Sequence, residues 1–186
     1  MSASAAPATL VFRAVDADHW TDFAALFESR GGPRSCWCMI ARASAGEARH
    51  KDGASRREQM RARIAAGASV GILGYIGGEP VAWCSIAPRE TYRNLGDFAE
   101  GADERIWSLV CLFLKRAYRS QGYTAQLIVA AVEHARSAGA SHVEAYPVDP
   151  DSPSFRYGGF VATYARLGFR DVGMLGLRRH AMRLAI

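Results

Sequence analysis

The sequence predicts an α/β fold in which a mixed sheet carries helices on both faces. Two observations point to it. Apolar period-2 and period-3.6 segments follow one another in the order β-α-α-β-β-β-α-β-α-β-β, and the apolar run 106–114 is long enough for a central strand buried on both sides. A third is the segment 115–140, where that run ends in a basic, glycine-containing turn leading straight into an amphipathic helix. Open α/β sheets place their ligands at this kind of junction, beyond the carboxyl end of a strand.

The elements follow in order. Residues 9–15 read as a strand, and Asp16 caps a helix over 17–29 with Trp20, Phe23, Leu26 and Phe27 on its apolar face. Arg30-Gly31-Gly32-Pro33 ends it. Ser55, with Glu58 three residues later, is a capping-box pattern that starts a second helix running to about Gly67. Residues 69–76 and 80–87 are β-prone runs joined by Gly77-Gly78-Glu79, a hairpin signal. The charged stretch 88–105 is an excursion between strands. After the strand 106–114, a helix over 122–138 keeps Leu127, Ile128, Ala131, Val132 and Ala135 on one side and stops at Gly139. That helix is a crossover, so the strand 142–146 runs parallel to 106–114. A short helix over 159–167 and two strands, 169–175 and 178–185, complete the chain. Residues 1–8 are expected to be a disordered tail and 9–186 a single domain.

Composition narrows the class. At 49% hydrophobic and 22% charged residues, with no apolar stretch of membrane-spanning length, the chain reads as soluble. The alanine-rich start lacks the basic and long apolar regions of a signal peptide. Four cysteines, two of them inside apparent strands, suit reduced thiols in a cytoplasm better than a disulfide scaffold. Cys36-Trp37-Cys38 lacks the spacing and further ligands of a zinc or redox pair, and no metal is expected. A net charge of +5 admits anionic partners. The basic clusters have no stacking aromatics or recognition helix among them, so neither a nucleic acid nor a membrane is the expected partner.

The turn at 119–124 sets uncapped helix N–H groups and the positive end of a helix dipole beside arginines, a site for an anion such as phosphate. No Gly-x-x-x-x-Gly-Lys and no Gly-x-Gly-x-x-Gly occurs, which removes nucleotide hydrolysis and dinucleotide binding. Arg119-Ser120-Gln121-Gly122-Tyr123-Thr124 resembles instead the Gln/Arg-x-x-Gly-x-Gly/Ala signature of the GNAT acetyltransferases, with Thr124 departing at the last position. Tyr164-Ala165-Arg166-Leu167-Gly168-Phe169 is similar to that family's Tyr-x-x-x-Gly-Phe, and the element order matches over about 9–186. The segments 80–89, 107–111 and 144–149, with Cys36-Trp37-Cys38-Met39, look like a bacterial subgroup of the family.

The resemblance implies a mostly antiparallel central sheet with one parallel, splayed strand pair, and acetyl-CoA as co-substrate. By position it assigns the pantetheine arm to the main chain of Leu112, Phe113 and Leu114. The pyrophosphate falls to Arg116, Arg119, Ser120, Gln121, Gly122, Tyr123 and Thr124. Tyr164 aligns with a tyrosine that donates a proton to the departing thiolate. The general base is left open: the position of a strand glutamate falls near Ser108, and Glu144, Glu90 and Asp149 are the nearby carboxylates, Glu144 being the one carried forward. Trp37 and Met39 fall in the segment that lines the acceptor pocket in the family, although local packing explains them equally. The implied reaction is direct attack of a primary amine, on a small molecule or peptide, in a ternary complex. A GNAT-fold module that binds acyl-CoA without turnover is the alternative, and a homodimer is the implied assembly.

Overall fold

The computed structural model describes residues 9–98, 101 and 104–186; the expected tail 1–8 lies outside the described residues. Seven strands form one sheet in the order β1-β2-β3-β4-β5-β7-β6. They are β1 (Val11–Ala14), β2 (Ile72–Ile76), β3 (Glu79–Pro88), β4 (Ile106–Leu114), β5 (His142–Ala145), β6 (Arg170–Leu175) and β7 (Arg179–Ala185). Every neighbouring pair is antiparallel except β4 and β5, which run parallel. The crossover that makes this pair parallel is α3 (Tyr123–Ser137). Helices α1 (Trp20–Glu28), α2 (Gly53–Ala65) and α4 (Val161–Arg166) complete the fold.

Each face of the sheet has its own core. On one side α3 lays Leu127, Ile128, Ala131 and Ala135 against Ile86, Leu109 and Val143. On the other, Phe23, Leu26 and Phe27 of α1 and Met60 and Ile64 of α2 pack on Leu73 and Trp83. β4 is shared by both cores, which accounts for a run apolar at nearly every position.

Two helix starts differ from the sequence reading in how they are capped. Helix α2 starts two residues before Ser55, because Asp52 is the cap: its carboxylate accepts from the Ser55 amide at 2.7 Å. At the first helix Asp16 does cap, but it caps a 3₁₀ turn, Ala17–His19, from which α1 continues.

β4 is interrupted where it matters for function. Ser85 pairs with Cys111 and Ile86 with Leu109, so Val110 is an extra residue, a β-bulge. The bulge changes which side chains face which side: Leu109, Leu112 and Leu114 pack with the α3 core, while Val110, Cys111 and Phe113 go with the opposite side.

Candidate active site

β4 and β5 pair only from Ile106↔His142 to Leu109↔Ala145. Past Ala145 the chain turns away, and Val148 bridges Phe160 and Arg179 instead. Among the described residues, the second half of β4, residues 110–114, therefore has β3 on one side and no strand on the other. This is a gap between parallel strands, next to a main chain with unpaired hydrogen-bonding groups. The 3₁₀ turn Arg156–Gly158 lies alongside it.

At the end of β4, Lys115 leads through the 3₁₀ turn Arg116–Tyr118 into α3. Ser120 and Gly122 both take left-handed backbone, at φ 60° and 81°. Gly122 is the N-cap residue, and no side chain caps the helix. Its first N–H groups thus face outward, beside exposed Arg116, Arg119, Ser120, Gln121 and Thr124. Two side chains brace the turn: Arg119 donates from Nε to the Leu114 carbonyl at 3.0 Å, and Gln121 donates from its amide to the Ala117 carbonyl at 2.8 Å. Tyr123 differs from its neighbours. Its ring is buried in the α3 core, edge-on to Tyr118, so only its backbone faces an anion.

On the other side of β4 a cavity of about 290 Å³ opens between Val110, Cys111, Leu112 and Phe113, Tyr157 of the 3₁₀ turn, and the segment after α1. From that segment come Cys36, Cys38, Ile40 and Ala41. The expectation that Trp37 and Met39 line this wall is corrected: both are buried in the α1–α2 core, Trp37 stacked on Phe27 at 5.2 Å between ring centroids. The reason is local. Trp37 and Cys38 both have left-handed backbone, and the resulting turn sends 37 and 39 inward while 36, 38 and 40 face the cavity. Buried Arg42 fastens the segment, donating to the Val70 carbonyl at 2.6 Å, to the Ser85 hydroxyl at 3.0 Å and to the Tyr92 hydroxyl.

Two of the cavity thiols, Cys36 and Cys38, are held protonated. Contact with Cys111, together with burial, pushes the Cys38 thiol well up, and contact with Cys38 does the same for Cys36. Cys38 also accepts from the Trp83 indole N–H at 3.1 Å.

Tyr164 and Glu144 are fully buried. The Tyr164 ring stands edge-on to Phe169, and its hydroxyl donates to the Gly158 carbonyl at 2.9 Å, beside Leu112 and the gap. Burial pushes its phenol up, so the group stays protonated. Glu144 lies elsewhere, on the paired part of β5 opposite Ser108. One carboxylate oxygen accepts from Arg183 at 2.8 Å and the other from Arg89 at 3.3 Å and from Tyr146. Ser108 pairs with the same Tyr146 hydroxyl at 3.1 Å. With no exposed surface and no place in the cavity wall, Glu144 is a member of a buried ion network rather than a group poised over a substrate. The assignment of Glu144 as catalytic is corrected on that ground.

A second depression, of about 440 Å³, is lined by Arg89, Tyr92, Asn94, Glu104 and Ile106 at the opposite end of β4 from the phosphate-type turn. Among the described residues no cluster of His, Cys, Asp and Glu is arranged to hold a metal ion, and no helix is long and apolar enough to cross a membrane. Sequence reasoning missed Cys36, Cys38, Ile40, Cys111 and Tyr157. The bulge that aims Cys111 has no sequence signature, whereas the alternation around Trp37 was available as a signal.

The sequence model described as the acetyltransferase (GNAT) family matches residues 35–169. No curated protein sequence matches the chain. Solved structures are similar at low identity. The PaiA N-acetyltransferase from Thermoplasma acidophilum, in complex with coenzyme A, is 12% identical with a TM-score of 0.58, over 96% of this chain and 99% of that one. The ribosomal-protein-alanine N-acetyltransferase from Brucella melitensis is 15% identical with a TM-score of 0.55, over 95% and 99% of the two chains. A GNAT family acetyltransferase from Brucella melitensis, in complex with acetyl-CoA, is 15% identical with a TM-score of 0.53, over 96% and 88%.

Proposed function

The chain belongs to the acetyltransferase (GNAT) family, and from that premise we propose that it transfers the acetyl group of acetyl-CoA to a primary amine by direct attack in a ternary complex. The observation that carries the reading is the junction of the half-paired strand β4, its gap, and the uncapped α3 N-terminus within one continuous stretch, 110–124. The coenzyme supplies the activated thioester. The chain's part is positioning. The main chain of Leu112, Phe113 and Leu114, on the edge that β5 leaves open, offers strand-like hydrogen bonds to an extended amide arm where Arg119 does not already hold the Leu114 carbonyl. The amides of 121–124 hold the pyrophosphate, with Arg116 and Arg119 adding charge.

The bulge at Val110 turns the cavity side of β4 toward the end of that arm, where an amine from the Cys36–Ala41 side meets the acetyl carbon. Tyr164, protonated and at the edge of the gap, gives its proton to the departing thiolate by releasing the Gly158 carbonyl, and the proton shed by the attacking nitrogen returns to the phenolate. The residues that line the cavity include no carboxylate or imidazole, so the amine arrives already neutral. That same absence favours the second reading, an acyl-CoA-binding module without turnover.

We extend the proposal to a cytoplasmic setting, which the four free thiols support. For the homodimer, the outer edge of β6, one of the two edge strands of the sheet, is an available strand.

Calorimetric titration with acetyl-CoA, followed by amine-dependent thiol release, tests the reading. A transferase binds and releases thiol. Its Tyr164→Phe variant loses about 10²-fold in kcat, the low end of a general acid's contribution, while acetyl-CoA affinity stays within about threefold. Binding with no thiol release from any amine moves the chain to the second reading, and absence of binding overturns both.

A further inference from the structure

The wall of the cavity beside β4 carries chemical information beyond its position. Its side chains come from Pro33, Cys36, Cys38, Ile40 and Ala41 on one side and from 110–113 and Tyr157 on the other. None bears a charge, and the single hydroxyl is that of half-exposed Tyr157 at the rim. The thiols of Cys36 and Cys38 belong to the same uncharged surface, since burial and the contacts of Cys36 with Cys38 and of Cys38 with Cys111 keep these two as weakly polar S–H groups. Neither Arg34 nor Arg42, the charged residues of this segment, is part of the wall, and Arg42 is bonded to Val70, Ser85 and Tyr92. A second ammonium or a carboxylate entering here would leave water without finding an opposite charge on the wall.

Resting on the transferase reading above, we infer that this cavity takes the apolar body of the acceptor, so that the acceptor class is a monoamine carried on an aryl or branched alkyl group rather than a polyamine or a charged peptide. At about 290 Å³ the cavity has room for a single ring with a short side chain. Ile40, 69% exposed yet part of the wall, stands at the mouth and sets the character of the entrance.

The test separates this inference from the reading beneath it. The intact protein is titrated, with coenzyme A present, with two amide products, N-acetyl-2-phenylethylamine and N-acetylspermidine. The corresponding amines are compared as acceptors of acetyl-CoA. Expected are binding of the phenylethyl amide at least about tenfold tighter than the spermidine amide, and kcat/KM for 2-phenylethylamine at least about tenfold above that for spermidine. Ile40→Asp, at an exposed position that leaves the core untouched, is expected to abolish most of that preference while acetyl-CoA affinity stays within about twofold. Equal or reversed preference between the two amides, or an unchanged preference in Ile40→Asp, overturns the inference even when acetyl-CoA binds and is turned over. Acetyl-CoA binding lost altogether, with the apolar amide still preferred, overturns the transferase reading and leaves the cavity's selectivity standing. Saturable competition between the phenylethyl amide and a longer-chain acyl-CoA, with no amine turned over, also overturns it, because the cavity then serves the acyl chain.

Discussion

Glu144 illustrates how a single residue changes meaning once its neighbours are known. In the sequence it is a carboxylate on a strand close to the reacting centre. In the structure it is the shared acceptor of Arg183, Arg89 and Tyr146, with no exposed surface. Arg183, itself 3% exposed, also donates to Glu104, so the cluster ties β7 and the segment before β4 to β5. Removing the charge at its centre leaves buried guanidinium groups without their main compensation, which costs about 3–5 kcal/mol. Glu144→Gln is therefore expected to lower stability to chemical denaturation by roughly that amount. Its acetyl-CoA affinity, read on the folded fraction, should be unchanged. A catalytic base would behave oppositely, with activity lost and the denaturation midpoint unmoved. The same contrast in burial separates Trp37 from Cys36 and Cys38: a residue type suggests a pocket wall, but the backbone decides which of three adjacent side chains reaches it.

Among the elements, those with strong periodicity were readable from the sequence. The strand predicted over 106–114 is β4, the helix over 122–138 is α3 trimmed by one residue at each end, and the hairpin at Gly77-Gly78 joins β2 to β3. Their patterns follow from burial on one or two faces, which sequence records directly. The phosphate-type turn was legible for a similar reason, because a glycine at φ 81° and flanking arginines are local features. The α2 start was missed through competition between two adjacent caps, Asp52 and Ser55, of which the carboxylate accepts the amide bond. The cavity was out of reach for a different reason. It depends on a one-residue bulge at Val110, on the divergence of β5 after Ala145, and on the left-handed turn at Trp37-Cys38, and each is settled by tertiary pairing. For this reason the turn at 119–124 was legible in the sequence as a candidate anion site, and the side chains that face the cavity were not.

Across the whole molecule, the open side of the gap is held by contacts between segments far apart in sequence. His180 on β7 places one ring nitrogen 2.6 Å from Asp171 of β6 and the other 3.2 Å from Asp149, in the loop that follows β5. The bond to Asp171, and then that to Asp149, raise the His180 pKa above the ordinary histidine value, against a smaller effect of burial. A group whose pKa is higher folded than unfolded stabilises most below its unfolded value, near 6.5, and that contribution is lost as pH rises through the folded value. Stability should therefore decline from mildly acid to mildly alkaline pH, and His180→Gln should remove this part of the slope, read from denaturation midpoints across that range. A wild-type profile and a His180→Gln profile of equal slope would show that the clamp carries no proton linkage.

The proposed function requires that one stretch of chain, from the bulge at Val110 to the first turn of α3, receive acetyl-CoA. Amide chemical-shift mapping of the ¹⁵N-labelled protein during titration with acetyl-CoA tests it most directly. The predicted result is a contiguous set of large shifts at 112–114 and 119–124, with smaller ones at Gly158 and Gly159 across the gap. Saturable shifts confined to the depression around Arg89 and Glu104, or none at the turn 119–124, would contradict it.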